Sequence, residues 1–335
     1  MSRAVGVEWL RLRSRRLIWV LAALGLAGAV AVLVGNTIAA MPPSAAERAS
    51  AQAQVDQQLA DPSFQEMVEQ CRSAVSGGGS AEWPSEMNCD DLLPRADWYL
   101  NWSQPSYVNL FTNMVLAVTV LLAVAMTVIG VIFAGSDWAN GTVGTQLLFQ
   151  PRRGQVFVAK AIVLGVLAAV SGTVMIGAAW ALSHWAAARW GTTVMIESTG
   201  FRGEQVTVNT ADLLGRALRA LAVVIAATLG GYALAMLFRG SLLPLALIAG
   251  YALVAETLAR AIGYESTWPY LLSTRLLAWL VGPAELPIYP TVCGTGPCEP
   301  RLVSVGVAAG GTYLAVVTAA VVAVAAWSFQ RRDVP

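Results

Sequence analysis

The chain has 335 residues, of which 56% are hydrophobic and only 12% charged. A soluble domain is about a quarter charged, so this composition excludes an ordinary soluble fold and points to a membrane protein. The formal net charge of +1 excludes the concentrated basic face of a nucleic-acid binder.

Residues 3–16 read as an amphipathic interfacial helix. Val7, Trp9, Leu10 and Leu12 are expected to lie toward lipid, and the arginines toward headgroup phosphates. The same arginines also serve as a topology signal. A membrane span needs roughly 20 apolar residues. Six stretches reach that length: 17–40, 108–134, 156–183, 214–238, 241–262 and 303–327. The first is longer than the core of a cleavable leader, which favours an uncleaved span over a signal peptide ending at Ile38-Ala39-Ala40.

Basic residues set the orientation. Arg11, Arg13, Arg15 and Arg16 precede the first span, and Arg152, Arg153 and Lys160 lie between the second and third. Arg239 sits between the fourth and fifth, and Arg331-Arg332 follow the sixth. All these segments are short, so both termini are expected in the cytosol, with a cytosolic tail at 328–335. The loops 41–107, 184–213 and 263–302 are then expected outside. Cys71 and Cys89 share the first outward loop, Cys293 and Cys298 the last. Disulfides Cys71–Cys89 and Cys293–Cys298 are therefore expected on an oxidising face.

In the first outward loop, Ser44 to Leu59 has helical spacing, and Asp61-Pro62 resembles an N-cap followed by proline at the first helical position. Ser76-Gly77-Gly78-Gly79-Ser80 is a flexible break, and Trp83, Trp98, Tyr99, Trp102 and Tyr107 follow it. The loop reads as a disulfide-stapled external cap, or else as an inert spacer; Asn101-Trp102-Ser103 matches a glycosylation acceptor only formally. Leu271 to Val281 is too short to cross and reads as an interfacial or re-entrant helix.

Residues for catalysis are scarce. His184 is the single histidine and reads as an interfacial side chain beside Trp185; no GxxxxGK[ST] phosphate loop occurs. No catalytic, metal or cofactor site is therefore expected in this chain. Polar residues inside spans are costly and so informative. Glu256 and Arg260 lie four apart and are expected to pair, either as a brace or in gating. Asn109, Thr112 and Asn113 are read as one face of the second span, with Asn36 and Thr37 ending the first at similar depth. They form either a polar outer mouth between spans 1, 2 and 5 or ordinary helix-to-helix hydrogen bonds.

The segment 135–160 is richer than a turn needs to be. Ser136 or Asp137 is expected to cap a short helix starting at Trp138. Gly141-Thr142 and Gly144-Thr145 allow a tight turn, and Pro151 precedes Arg152-Arg153. Such a helix is expected to bury Leu147, Leu148 and Phe149 in the membrane face and to present Asp137, Gln146, Arg152 and Arg153 to a soluble partner.

Taken together, the chain resembles a permease subunit of the bacterial ABC-2 exporter family over essentially its whole length. The resemblance rests on the six spans and on the order Asp137, Gly141-Thr142, Leu147-Leu148, Pro151, Arg152-Arg153, Lys160 between spans 2 and 3. Phe238-Arg239 and the closing Phe329-Gln330-Arg331-Arg332-Asp333 add to it. Asp137 stands where the family commonly has Glu, and the first external loop is longer than in compact members. The resemblance implies an all-α membrane fold in the bacterial plasma membrane, working as a homodimer or pseudo-dimer with two copies of a separate ATPase subunit. ATP and Mg²⁺ would bind that subunit. It implies a coupling helix over 135–155, with Asp137, Trp138, Gly141, Thr142, Arg152 and Arg153 at the ATPase and Glu8 and Trp9 beside it. It further implies a translocation path along spans 1, 2 and 5, near Asn36, Asn109, Thr112, Asn113, Glu256 and Arg260. The expected function is ATP-driven export of a hydrophobic or amphipathic substrate (drug, antibiotic, peptide or lipid). An ion-gradient transporter or a non-transporting scaffold or sensor is the alternative.

Overall fold

The computed structural model describes residues 2–78, 86, 88–100, 102–199, 204–262, 265–288 and 300–331. The expected Cys293–Cys298 ring, Trp83, Asn101 and Arg332 lie outside the described residues. The chain is a mostly helical, multi-pass membrane protein with six helices long and apolar enough to span a bilayer.

Helix α1 (Ser2–Ser14) leads into α2 (Arg16–Ala39), the first span. Ser44 then caps α3 (Ala45–Leu59) with a capping box shared with Glu47, which holds the Glu47 carboxyl below its usual pKa through the Ser44 backbone N–H. Asp61 accepts from the Ser63 N–H and starts α4 (Pro62–Ser76) with proline in its first turn. The Cys71–Cys89 disulfide ties α4 to the short turn at Cys89–Leu92, ahead of the single turn α5 (Ala96–Tyr99).

The second and third spans are far longer than a bilayer requires. Helix α6 (Tyr107–Ala139) has 33 residues and α8 (Arg153–Trp190) has 38; between them lies α7 (Thr142–Phe149). At 1.5 Å per residue α8 is about 57 Å long, so its ends project well beyond a hydrocarbon core of about 30 Å. Strands β1 (Ile196–Thr199) and β2 (Glu204–Thr207) pair antiparallel with Ile196 opposite Thr207. Helix α9 (Thr210–Phe238) is the fourth span. The fifth is α10 (Leu242–Gly250) and α11 (Glu256–Ala261), joined by a π-helical stretch at Tyr251–Ala255. A short helix α12 (Leu272–Leu280), then strands β3 (Ala284–Ile288) and β4 (Arg301–Val305), lead into the sixth span, α13 (Val307–Arg331).

The core is built around α6 and α9. A Cβ placed on Gly130 would come within 2.5 Å of the Thr228 carbonyl oxygen, and one on Gly231 within 2.5 Å of that of Thr127. The two backbones touch at reciprocal glycines, as in close-packed membrane helices. Thr127 Oγ1 spans the same contact, donating to the Ala227 carbonyl at 3.2 Å. Helices α2, α8 and α13 flank this pair, whereas the fifth span buries little of its surface.

Three expectations about local structure are corrected. Leu12 is fully buried in the core rather than turned to lipid, because α1 lies against α8 with Glu8 and Leu12 facing inward. No helix begins at Trp138: α6 runs on through Ala139, so Ser136 and Asp137 sit in its last turn and cap nothing. The break comes at Gly141, with φ +65°, a left-handed conformation that glycine adopts at little cost. The loops around α9 and before α13 also hold two hairpins that composition did not announce.

Candidate functional site: a buried charge cluster under an exposed helix tip

One end of the bundle carries α1, α7 and the adjoining ends of α6 and α8. Here Glu8, Asp137 and Lys160, from α1, α6 and α8, have side chains only 1% exposed. Lys160 Nζ donates to Glu8 Oε2 at 2.9 Å and also to Asp137 Oδ2. Arg15 donates to Asp137 Oδ1, to Ser136 Oγ and, at 2.8 Å, to the Phe133 carbonyl. Arg11 stands 3.5 Å from Glu8. Both Arg15 and Lys160 lie over the Phe133 ring, 5.1 and 5.2 Å from its centroid.

Burying this many charges is expensive unless each is paired and hydrogen-bonded. Here each carboxylate oxygen has a partner. Glu8 Oε1 accepts from Gln146 Nε2 on α7, and Asp137 Oδ1 also accepts from Thr142 Oγ1 at 3.1 Å. Thr142 is the first residue of α7 and Gln146 lies one turn on, so the first half of that helix is fastened to the cluster. The consecutive helices α6, α7 and α8 and the sequence-distant α1 thereby share one hydrogen-bonded network.

This arrangement reverses the expected exposure of α7. Asp137 and Gln146, expected to face a soluble partner, are buried in the network. Leu148 and Phe149, expected to be buried, are 83% and 84% exposed at the tip of α7, while Leu147 packs on the core. Leu148 lies about 160° around α7 from Gln146 and so turns outward, whereas Phe149, on the same side as Thr142 and Gln146, ends the helix beyond the cluster. Arg152 is exposed beside this tip. Trp138 is half-buried: Phe329 of α13 meets its ring edge-on at 6.3 Å, and Arg239 covers it at 5.4 Å. Tyr232 completes the packing, donating to the Phe157 carbonyl at 3.0 Å.

At the far end the expected polar mouth is split up. Asn109 and Asn113 are exposed, but Thr112 points into the core and accepts from Arg216 Nη1 at 2.7 Å. Asn36 and Thr37 donate to carbonyls of their own helix, Val32 and Leu33. Glu256 and Arg260 do not form a salt bridge; both engage Ser273, Glu256 accepting its N–H at 3.0 Å and Arg260 donating to its Oγ at 2.8 Å. A serine from α12 within reach of both groups competes with their direct contact.

Sequence reasoning missed Arg216 and Glu197. They form a bidentate pair, Nη1 to Oε1 at 2.9 Å and Nη2 to Oε2, which pins the β1–β2 hairpin to α9. The available signal was an arginine two turns inside a span, with an acid waiting in the preceding loop. Among the described residues no group of three metal-binding side chains occurs. No family model, curated protein or solved structure matches the chain.

Proposed function

We propose that this protein is the transmembrane permease subunit of an ATP-driven exporter, with the charge-cluster end in the cytosol and the disulfide end outside. The observation that carries this reading is α7: a short helix locked by buried charges to α1, α6 and α8, with Leu148 and Phe149 projecting alone. A loop that only joined two spans would gain nothing from exposing two large apolar residues above so costly a network. A helix receiving force from a soluble ATPase needs both features, an apolar tip for docking and a stiff attachment to the spans. The same reading makes the protein one half of a homodimer or pseudo-dimer flanked by two ATPase copies, moving a hydrophobic or amphipathic substrate. The sparsely buried fifth span leaves surface for lipid or for the second subunit.

The test is the double substitution Leu148→Asp, Phe149→Asp. These side chains touch little of their own chain, so thermal unfolding in detergent is expected to stay unchanged. Binding of the cognate ATPase, and the chain's stimulation of its ATP hydrolysis, are expected to fall at least about tenfold, the effect of removing an apolar hot spot. Unchanged stimulation, or uphill transport by the chain reconstituted alone, overturns the reading.

A further inference from the structure

Opposite the charge cluster, a cavity of about 880 Å³ opens between the first turns of α9, the two hairpins and the end of α12. Its volume suits a small organic molecule. One wall is apolar, with Val206, Val281, Leu302 and Val307. The other is a face of α9 that carries Asp212, Arg216 and Arg219, spaced so that all three point the same way.

These charges are not equivalent. Arg216 is neutralised by Glu197 and supports the hairpin. Arg219 lies one turn deeper, and its guanidinium makes no hydrogen bond or ion pair among the described residues. Its Nε is buried without an acceptor, and its only contact of note is with the Trp279 ring, 5.8 Å from the centroid. A buried, unsatisfied guanidinium nitrogen is costly, and an incoming anion would relieve it. The carboxylate of Asp212, two turns before Arg219 on the same face of α9, also lines the cavity. Asp212 uses Oδ2 to accept from the Asn209 N–H, and Oδ1 carries no second side chain. A bare anion would be repelled by Asp212, and a bare cation by Arg219.

We propose that the cavity binds a small zwitterionic amphiphile, its anionic group on Arg219, its cationic group toward Asp212 and its apolar body along Val281 and Leu302. The site lies away from the fifth span and does not depend on how the opposite end is driven. Two sources share this chemistry, a phospholipid-type headgroup and a solute such as a short apolar peptide with free termini.

The experiment is native mass spectrometry of the full chain in an uncharged maltoside detergent, titrated with dodecylphosphocholine, dodecyl phosphate, dodecyltrimethylammonium and the dipeptide Leu-Leu. One zwitterion is expected to bind saturably at one per chain, more tightly than either singly charged surfactant. Arg219→Gln is expected to weaken that binding by about tenfold or more, the loss of a charge-assisted hydrogen bond, and Arg219→Lys by less. Asp212→Asn, which keeps an oxygen for the helix cap, is expected to remove the preference over dodecyl phosphate. Binding of the surfactant alone assigns the site to lipid, and binding of Leu-Leu assigns it to a solute. Binding of neither, or equal binding by Arg219→Gln and Arg219→Lys as in the parent, overturns the proposal.

Discussion

Replacing Lys160 with methionine is expected to destabilise the protein by about 3–5 kcal/mol, the loss typical when one partner leaves a buried ion pair. The side chain is 1% exposed and bridges Glu8 to Asp137, so its removal leaves two carboxylates facing each other with no water to reach them. Arg15 would still hold Asp137, but Glu8 would keep only Gln146 and the more distant Arg11. The triple variant Glu8→Gln, Asp137→Asn, Lys160→Met removes all three charges together and is expected to recover most of the loss. Thermal unfolding of the purified variants in detergent decides the matter. If the triple variant is no more stable than the single one, the loss comes from packing rather than from unpaired charge. If the protein is the proposed permease, stimulation of its ATPase separates a second role: a stable triple variant that no longer stimulates would show that the network is needed for stiffness as well.

Arg216→Met is the second large effect, again about 3–5 kcal/mol. It strands Glu197, 9% exposed, in the core and takes the hydrogen bond from Thr112. The consequence should be local as well as global. Strand β2 is tied back at Val208, whose N–H donates to the Met195 carbonyl at 2.8 Å, and the hairpin's main side-chain anchor to α9 is this ion pair. Hydrogen exchange is therefore expected to accelerate at Val206 and Val208 while amides around Gly130 and Gly231 stay protected. Adding Glu197→Gln should restore protection in part. Equal loss of protection in the hairpin and at the α6–α9 contact would mean that Arg216 supports the whole bundle and not the hairpin.

The sequence announces the six spans because hydrocarbon thickness imposes a length that composition displays directly. Ser44, which caps its helix with Glu47, reads from spacing as part of the helix itself, but the cap at Asp61 was equally readable, since it depends on a residue two positions on. Contacts at long range were not. Glu8, Asp137 and Lys160 each stood out as charges beside apolar runs, yet nothing local says that residues 152 positions apart share a proton-donor network. Without that network the exposure of Leu148, Phe149 and Gln146 came out inverted, because hydrophobicity suggests burial, and only the pinning of Thr142 and Gln146 turns Leu148 outward and leaves Phe149 beyond the cluster. Thr112 failed for a related reason: it shares neither exposure nor direction with Asn109 and Asn113, and its fate is set by an arginine on another span. The hairpins escaped because strands of four or five residues with charged ends look like any polar loop.

Lys160 is the single lysine in the chain. Its amine is sealed inside the folded protein, out of reach of acylating reagents. Modification at Lys160 then becomes a clock for how often the seal between α1, α6 and α8 breathes. In the proposed complex with an ATPase, comparing labelling rates with and without nucleotide would time that breathing against hydrolysis, without adding any engineered label.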